Sequence, residues 1–167
     1  MIEIIVSFPV LIISMILEAT VFSRIQILSG NANLVMLVLI AWSIHSATRY
    51  SWFWFLSGAL IMTYLSALPL YGYFVIFGVL WAIIAFLKRR LWQMPMILML
   101  FLTIFGTLLE NFFSIGALYL QGAAFSIREI LTVITIPSLI FNLLLAIPVF
   151  GIINDIADTV CARGEIE

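Results

Sequence analysis

The chain has 167 residues, of which 65% are hydrophobic and only 9% charged, with a formal net charge of -1. A mean hydropathy of +1.29 lies far above that of a soluble domain and identifies a polytopic helical membrane protein. At about 20 residues per crossing there is room for about five to seven spans and for no soluble domain. No basic stripe exists on which phosphates could be neutralised, so a nucleic-acid partner is excluded. One cysteine, Cys161, excludes an internal disulfide, and together with a single histidine, His45, it is too few for a zinc site built from those ligands.

The first residues, Met1-Ile2-Glu3-Ile4-Ile5, lack the positive segment and small-residue cleavage site of a secretory signal, so the first span is expected to remain as an anchor. Apolar windows then fall at about 4–22, 33–48, 52–68, 70–87, 95–120 and 129–156, separated by turn or charged residues. Six spans is the simplest count, and the fold class is all-α. Arg49, Lys88, Arg89, Arg90 and Arg163 would lie on one side of the membrane and only Arg24 and Arg128 on the other, which places both termini in the cytoplasm. Trp52, Trp54 and Trp92 follow the basic positions as interfacial anchors should. The triplet Lys88-Arg89-Arg90 reads first as a topology signal and second as a docking site for a protein or a lipid headgroup. Gly78 and Ala82, four residues apart, could bring two helices close.

Ionisable groups within a bilayer are expensive and face the bundle interior, so Glu18, His45 and Glu110 are candidates. At about 1.5 Å per residue, Glu18 and Glu110 each lie roughly 21 Å into spans one and five, hence at similar depth in the outer third. Two readings are open: a cation or proton site, or buried pairs that fix helix order. The second is favoured because Asn111, Arg24 and Arg128 are near enough to satisfy the carboxylates. The same arithmetic puts His45 level with Asn142, so a hydrogen bond between them is expected. Asp155 and Asp158, one turn apart near the end of the last span, read as a solvated helix end. No H-E-x-x-H, G-x-S-x-G, glycine-rich phosphate loop or Asp-rich metal motif is present, so neither an enzyme nor a cofactor nor a metal is expected.

The last span contains Pro137-Ser138-Leu139-Ile140-Phe141-Asn142-Leu143-Leu144-Leu145-Ala146-Ile147-Pro148. Proline removes a backbone donor and clashes with the preceding turn, which lipid tolerates only where neighbouring helices satisfy the freed carbonyls. This span is therefore expected inside a bundle, bent near Pro148, with the Asn142 amide facing protein.

The pattern Pro137-x-x-x-x-Asn142-x-x-x-x-x-Pro148 resembles the last span of the rod shape-determining protein MreD family. The run from Gly58 to Pro69-Leu70-Tyr71-Gly72, followed by a span and the basic turn Lys88-Arg89-Arg90, is similar to another region of that family. Thr63 stands where many members have an acidic residue, and Asn31-Ala32-Asn33 stands in place of a Pro-Asp pair. The resemblance implies a non-enzymatic scaffold of the bacterial cell-elongation machinery in the cytoplasmic (inner) membrane. It implies an MreC-like bitopic partner and, through it, the MreB filament, RodA and a class B penicillin-binding protein that make sidewall peptidoglycan. It also implies a fold similar to the S-components of energy-coupling-factor transporters. A vitamin-binding S-component is therefore the alternative, although span one offers only Ser7, Ser14 and Ala19 as small residues for docking and no polar outer loop is evident.

Overall fold

A computed structural model describes residues 2–22, 32–46, 48, 50–65, 70–91, 94–120 and 131–164. The described residues are helical throughout, apart from short connecting segments: α1 (Ile2–Leu17), α2 (Leu34–Ile44), α3 (Ser51–Leu65), α4 (Leu70–Leu91), α5 (Pro95–Leu120) and α6 (Ile136–Gly164). Two single π-helical turns, Glu18–Phe22 and Leu131–Thr135, extend α1 and precede α6.

Four stretches are long and apolar enough to cross a membrane: Glu3–Thr20, Tyr71–Arg90, Pro95–Leu120 and Leu131–Cys161. Helix α2 is different. Its 11 residues are all buried, and α1, α3, α4, α5 and α6 all pack on it. At about 1.5 Å per residue it is roughly 16 Å long, about half the thickness of a hydrocarbon core. Its N-terminal end is buried at Ala32 and Asn33, where the free N–H groups must be met by protein, whereas His45 and Ser46 after its last turn are half-buried and exposed.

Two glycines let neighbours come close to this central helix. A methyl placed on Gly58 of α3 would lie 2.6 Å from the Leu39 side chain, and one on Gly106 of α5 would lie 2.8 Å from Met36 Sδ. The contact is a van der Waals one, as expected where lipid offers no hydrophobic drive for helix association. Gly78 behaves otherwise: nothing approaches its missing side chain within 4 Å, and Ala82 is exposed. The expected close pair at Gly78 and Ala82 thus faces away from the bundle.

The aromatic residues divide in the same way. Trp52 is exposed, as an interfacial anchor is, but Trp54 is fully buried and stacks on Trp42 with ring centroids 3.9 Å apart. Its indole N–H donates to the Glu3 carbonyl at 3.2 Å, so Trp54 ties α3 to the start of α1 rather than anchoring in lipid headgroups. Periodicity explains the difference, since Trp52 and Trp54 lie about 200° apart around α3 and cannot share a face.

Consecutive helices alternate in direction. Glu3 at the start of α1, His45 after α2, Tyr50 before α3, Lys88 in the last turn of α4 and Asp158 near the end of α6 meet at one end of the bundle. Glu18, Asn33, Tyr73, Glu110 and Asn142 meet towards the other. The described basic positions Lys88, Arg89 and Arg90 belong to the His45 end. Arg24, Arg49, Arg128, Pro69 and Trp92 lie outside the described residues.

Helix α6 is unbroken through Pro148, which is exposed. The departure from α geometry lies earlier, in the π turn at Leu131–Thr135, immediately ahead of Ile136-Pro137. Pro137 has no N–H to return to the preceding turn, and a wider turn at that point is a usual consequence.

Candidate functional site

The polar side chains within the spans converge on the N-terminus of α2. Asn33 is its N-cap, and its side-chain oxygen accepts from the Met36 N–H at 2.8 Å. The Val35 N–H donates to Glu18 Oε2 at 3.1 Å, and the Leu34 N–H faces the same carboxyl group. The Asn33 N–H donates to Asn142 Oδ1 at 2.9 Å. All four donors that a helix leaves unpaired at its first turn are thus met by side chains, one of them local and the others from α6 and the end of α1.

A second ring of bonds holds the cap itself. Asn33 Nδ2 donates to Glu110 Oε1 at 2.9 Å, and the Tyr73 hydroxyl donates to the same oxygen at 3.0 Å. Asn142 Nδ2 donates to Thr107 Oγ1 at 3.0 Å, and that hydroxyl donates to the Thr103 carbonyl at 2.8 Å. Asn33 thus joins α5 and α6 through Glu110 and Asn142, Tyr73 of α4 joins them through Glu110, and Glu18 at the end of α1 holds the same helix terminus. The carboxyl groups also lie at the positive end of the α2 dipole, where negative charge is favoured.

The opposite end of α2 is closed by a cation. The Lys88 ammonium donates to the His45 carbonyl and, at 3.2 Å, to Thr48 Oγ1. Thr48 in turn donates to the Trp42 and His45 carbonyls. His45 follows the last residue of α2, and its Nε2 lies 2.9 Å from Asp158 Oδ1. Asn154 Nδ2 donates to the other Asp158 oxygen at 3.1 Å. Lys88→Met should therefore destabilise the fold by about 1 kcal/mol, the usual worth of a charge-matched helix terminus with its hydrogen bond. Denaturation in mixed micelles measures this, and an unchanged midpoint would show that water replaces the ammonium at no cost.

This geometry corrects three expectations. His45 and Asn142 are at opposite ends of α2, so no bond joins them: His45 pairs with Asp158, and Asn142 with Asn33 and Thr107. Asn111 does not serve the carboxyl groups, because its Nδ2 donates to the Thr107 carbonyl one turn back on its own helix. Asp158 is not simply a solvated helix end. Lys88 turns inward while Arg89 and Arg90 are exposed, with the Arg90 guanidinium 5.5 Å above the Phe86 ring. Pro137 is buried and Pro148 exposed, on either side of the buried Asn142.

Three partners of the carboxyl groups and the amide escaped notice in the sequence: Asn33, Tyr73 and Thr107. An asparagine immediately before an apolar helical run is an N-cap signal, so Asn33 was readable in principle. Tyr73 and Thr107 carry no such signal.

Among the described residues no group of three or more His, Cys, Asp or Glu side chains is placed to hold a metal ion. Each named polar group of the α2 N-terminal cluster makes at least one hydrogen bond to another protein group, an arrangement suited to fixing helix order. The described chain is thus all-helical, with four stretches long and apolar enough to cross a membrane, assembled on a short, doubly capped central helix. No protein family, characterised protein or solved structure matches it.

Proposed function

We propose that this chain is a non-enzymatic membrane scaffold similar to the MreD family, acting in bacterial cell elongation. It would bind an MreC-like bitopic protein and, through that partner, link the MreB filament to RodA and a class B penicillin-binding protein. The observation that carries the reading is the position of Asn142. It lies between the two prolines of the pattern that resembles MreD, and its amide joins α6 to both α2 and α5. A residue pattern with such a role in helix order is what a family-wide feature of the last span would have to encode.

The remaining parts of the proposal follow the same line. Six crossings are counted by letting the short α2 and the 15-residue α3 traverse the bundle beside the four longer stretches. The end that carries Lys88, Arg89 and Arg90 is assigned to the cytoplasm by the excess of basic residues, which puts both termini there in the inner membrane. Outward faces such as Ile5, Phe8, Ile12 and Ile16 on α1 offer apolar surface to lipid or to another membrane helix.

The test is purification of the full chain from native membranes in mild detergent, followed by identification of the proteins that accompany it. An MreC-like protein and wall-synthesis enzymes are expected. A bound vitamin together with a pair of ATPases would replace the scaffold by an S-component.

A further inference from the structure

The basic turn at the end of α4 is not explained by bundle packing alone, because only Lys88 is used inside the fold. Arg89 is exposed and has no acidic partner among the described residues, where the one ion pair is His45 with Asp158. A crevice of about 130 Å³ lies between α3 and α4. Trp52, Phe55 and Leu56 line it from α3, and Phe74, Gly78 and Trp81 from α4. It is open because Gly78 has no side chain and nothing approaches within 4 Å of where one would be. Along the helix, Trp81 and Arg89 are roughly two turns apart, about 12 Å, and about 80° apart in azimuth. Between them stands only Ala85, which is exposed and contributes a methyl group.

An apolar crevice flanked by two partly exposed indoles, with the exposed Arg89 guanidinium about two turns further along α4 and without an acidic partner among the described residues, has the polarity profile of a phospholipid. The chain-lining part is apolar, the indoles suit the interface, and the guanidinium matches a phosphate in charge and in hydrogen-bonding geometry. We propose that the α3–α4 crevice seats an acyl chain of an anionic phospholipid whose phosphate group pairs with Arg89. Arg90, folded over Phe86 on the far side of α4, adds to the positive field without lining the crevice. The site gives the basic turn a task beyond orienting the chain: it makes the α3–α4 face selective for negatively charged lipid.

With Trp92 replaced by phenylalanine throughout, the indoles of Trp52 and Trp81 allow a direct measurement, since Trp42 and Trp54 are fully buried and provide a background out of reach of lipid. The full chain is reconstituted in phosphatidylcholine bilayers containing a small, equal fraction of either bromine-labelled phosphatidylglycerol or bromine-labelled phosphatidylcholine, and tryptophan quenching is compared. Phosphatidylglycerol is expected to quench at about fivefold lower mole fraction, the preference one arginine near a membrane surface supplies. Arg89→Gln should remove that preference, and Gly78→Leu should reduce quenching by both lipids because it fills the crevice. Circular dichroism confirms that both variants keep their helix content. Equal quenching by the two lipids, a preference that survives Arg89→Gln, or quenching indifferent to Gly78→Leu would each overturn the assignment.

Discussion

Replacement of Asn142 by leucine is expected to lower the stability of the folded chain by about 2–3 kcal/mol. The substitution removes the acceptor for the Asn33 N–H and the donor to Thr107 in one step. An N–H left unpaired in a dry interior costs about 1–3 kcal/mol, and an inter-helix side-chain bond in a membrane protein adds about 0.6 kcal/mol on average. Leucine itself is apolar and close in size, so the loss is one of hydrogen bonding rather than of volume. Unfolding of the reconstituted protein in mixed micelles measures the change, and a loss below about 0.5 kcal/mol would mean that the α2 terminus finds another acceptor. His45→Ala gives a discriminating companion. Because His45 and Asn142 occupy opposite ends of α2 and share no partner, their effects should add, whereas a direct bond between them would make the double variant less damaged than the sum.

The second large effect is expected at Gly58. A β-carbon there would meet Leu39 at 2.6 Å, and Leu39 is itself fully buried, with little space to move. Gly58→Val should therefore separate α3 from α2 and destabilise the bundle by about 2–3 kcal/mol, the range for inserting extra methyl groups into a packed core. Gly106→Val is expected to cost less, about 1 kcal/mol, since the nearest atom is a methionine sulfur at 2.8 Å and a thioether side chain bends aside readily. Gly78→Val, which meets nothing within 4 Å, should stay within about 0.5 kcal/mol of the parent in detergent. An order other than Gly58, Gly106, Gly78 would show that α3 and α5 do not approach α2 as described.

These predictions concern positions that differ in how readable they are. The helical state, with helices long and apolar enough to cross a membrane, followed from composition and window length, because a chain this apolar can satisfy its backbone in lipid only within helices or a closed barrel. The inward orientation of Asn142 followed from the cost of an unpaired amide in hydrocarbon, and burial of that side chain agrees with it. That Glu18 and Glu110 lie towards the same end also followed from counting residues along two spans of the same direction. Their partners did not follow. Residue counting assumes that every span starts at the same membrane surface and runs its full length, and α2 breaks that assumption.

What the amino-acid sequence determined by itself, then, was the apolar, membrane-length character of its helices, its helical state and which of its polar side chains must turn inward, since each of those rests on properties that belong to single residues. What only the tertiary structure decided was the depth of α2 and hence every pairing at its ends: Asn33 with Asn142 and Glu110, His45 with Asp158, Lys88 with the His45 carbonyl. An 11-residue helix set within longer neighbours places its ends where side chains from four other segments happen to meet, and no local periodicity records that meeting. The pairings are properties of the relative heights of helices, which are set by the two glycine contacts, the two π turns and the need to cap a helix where water is absent.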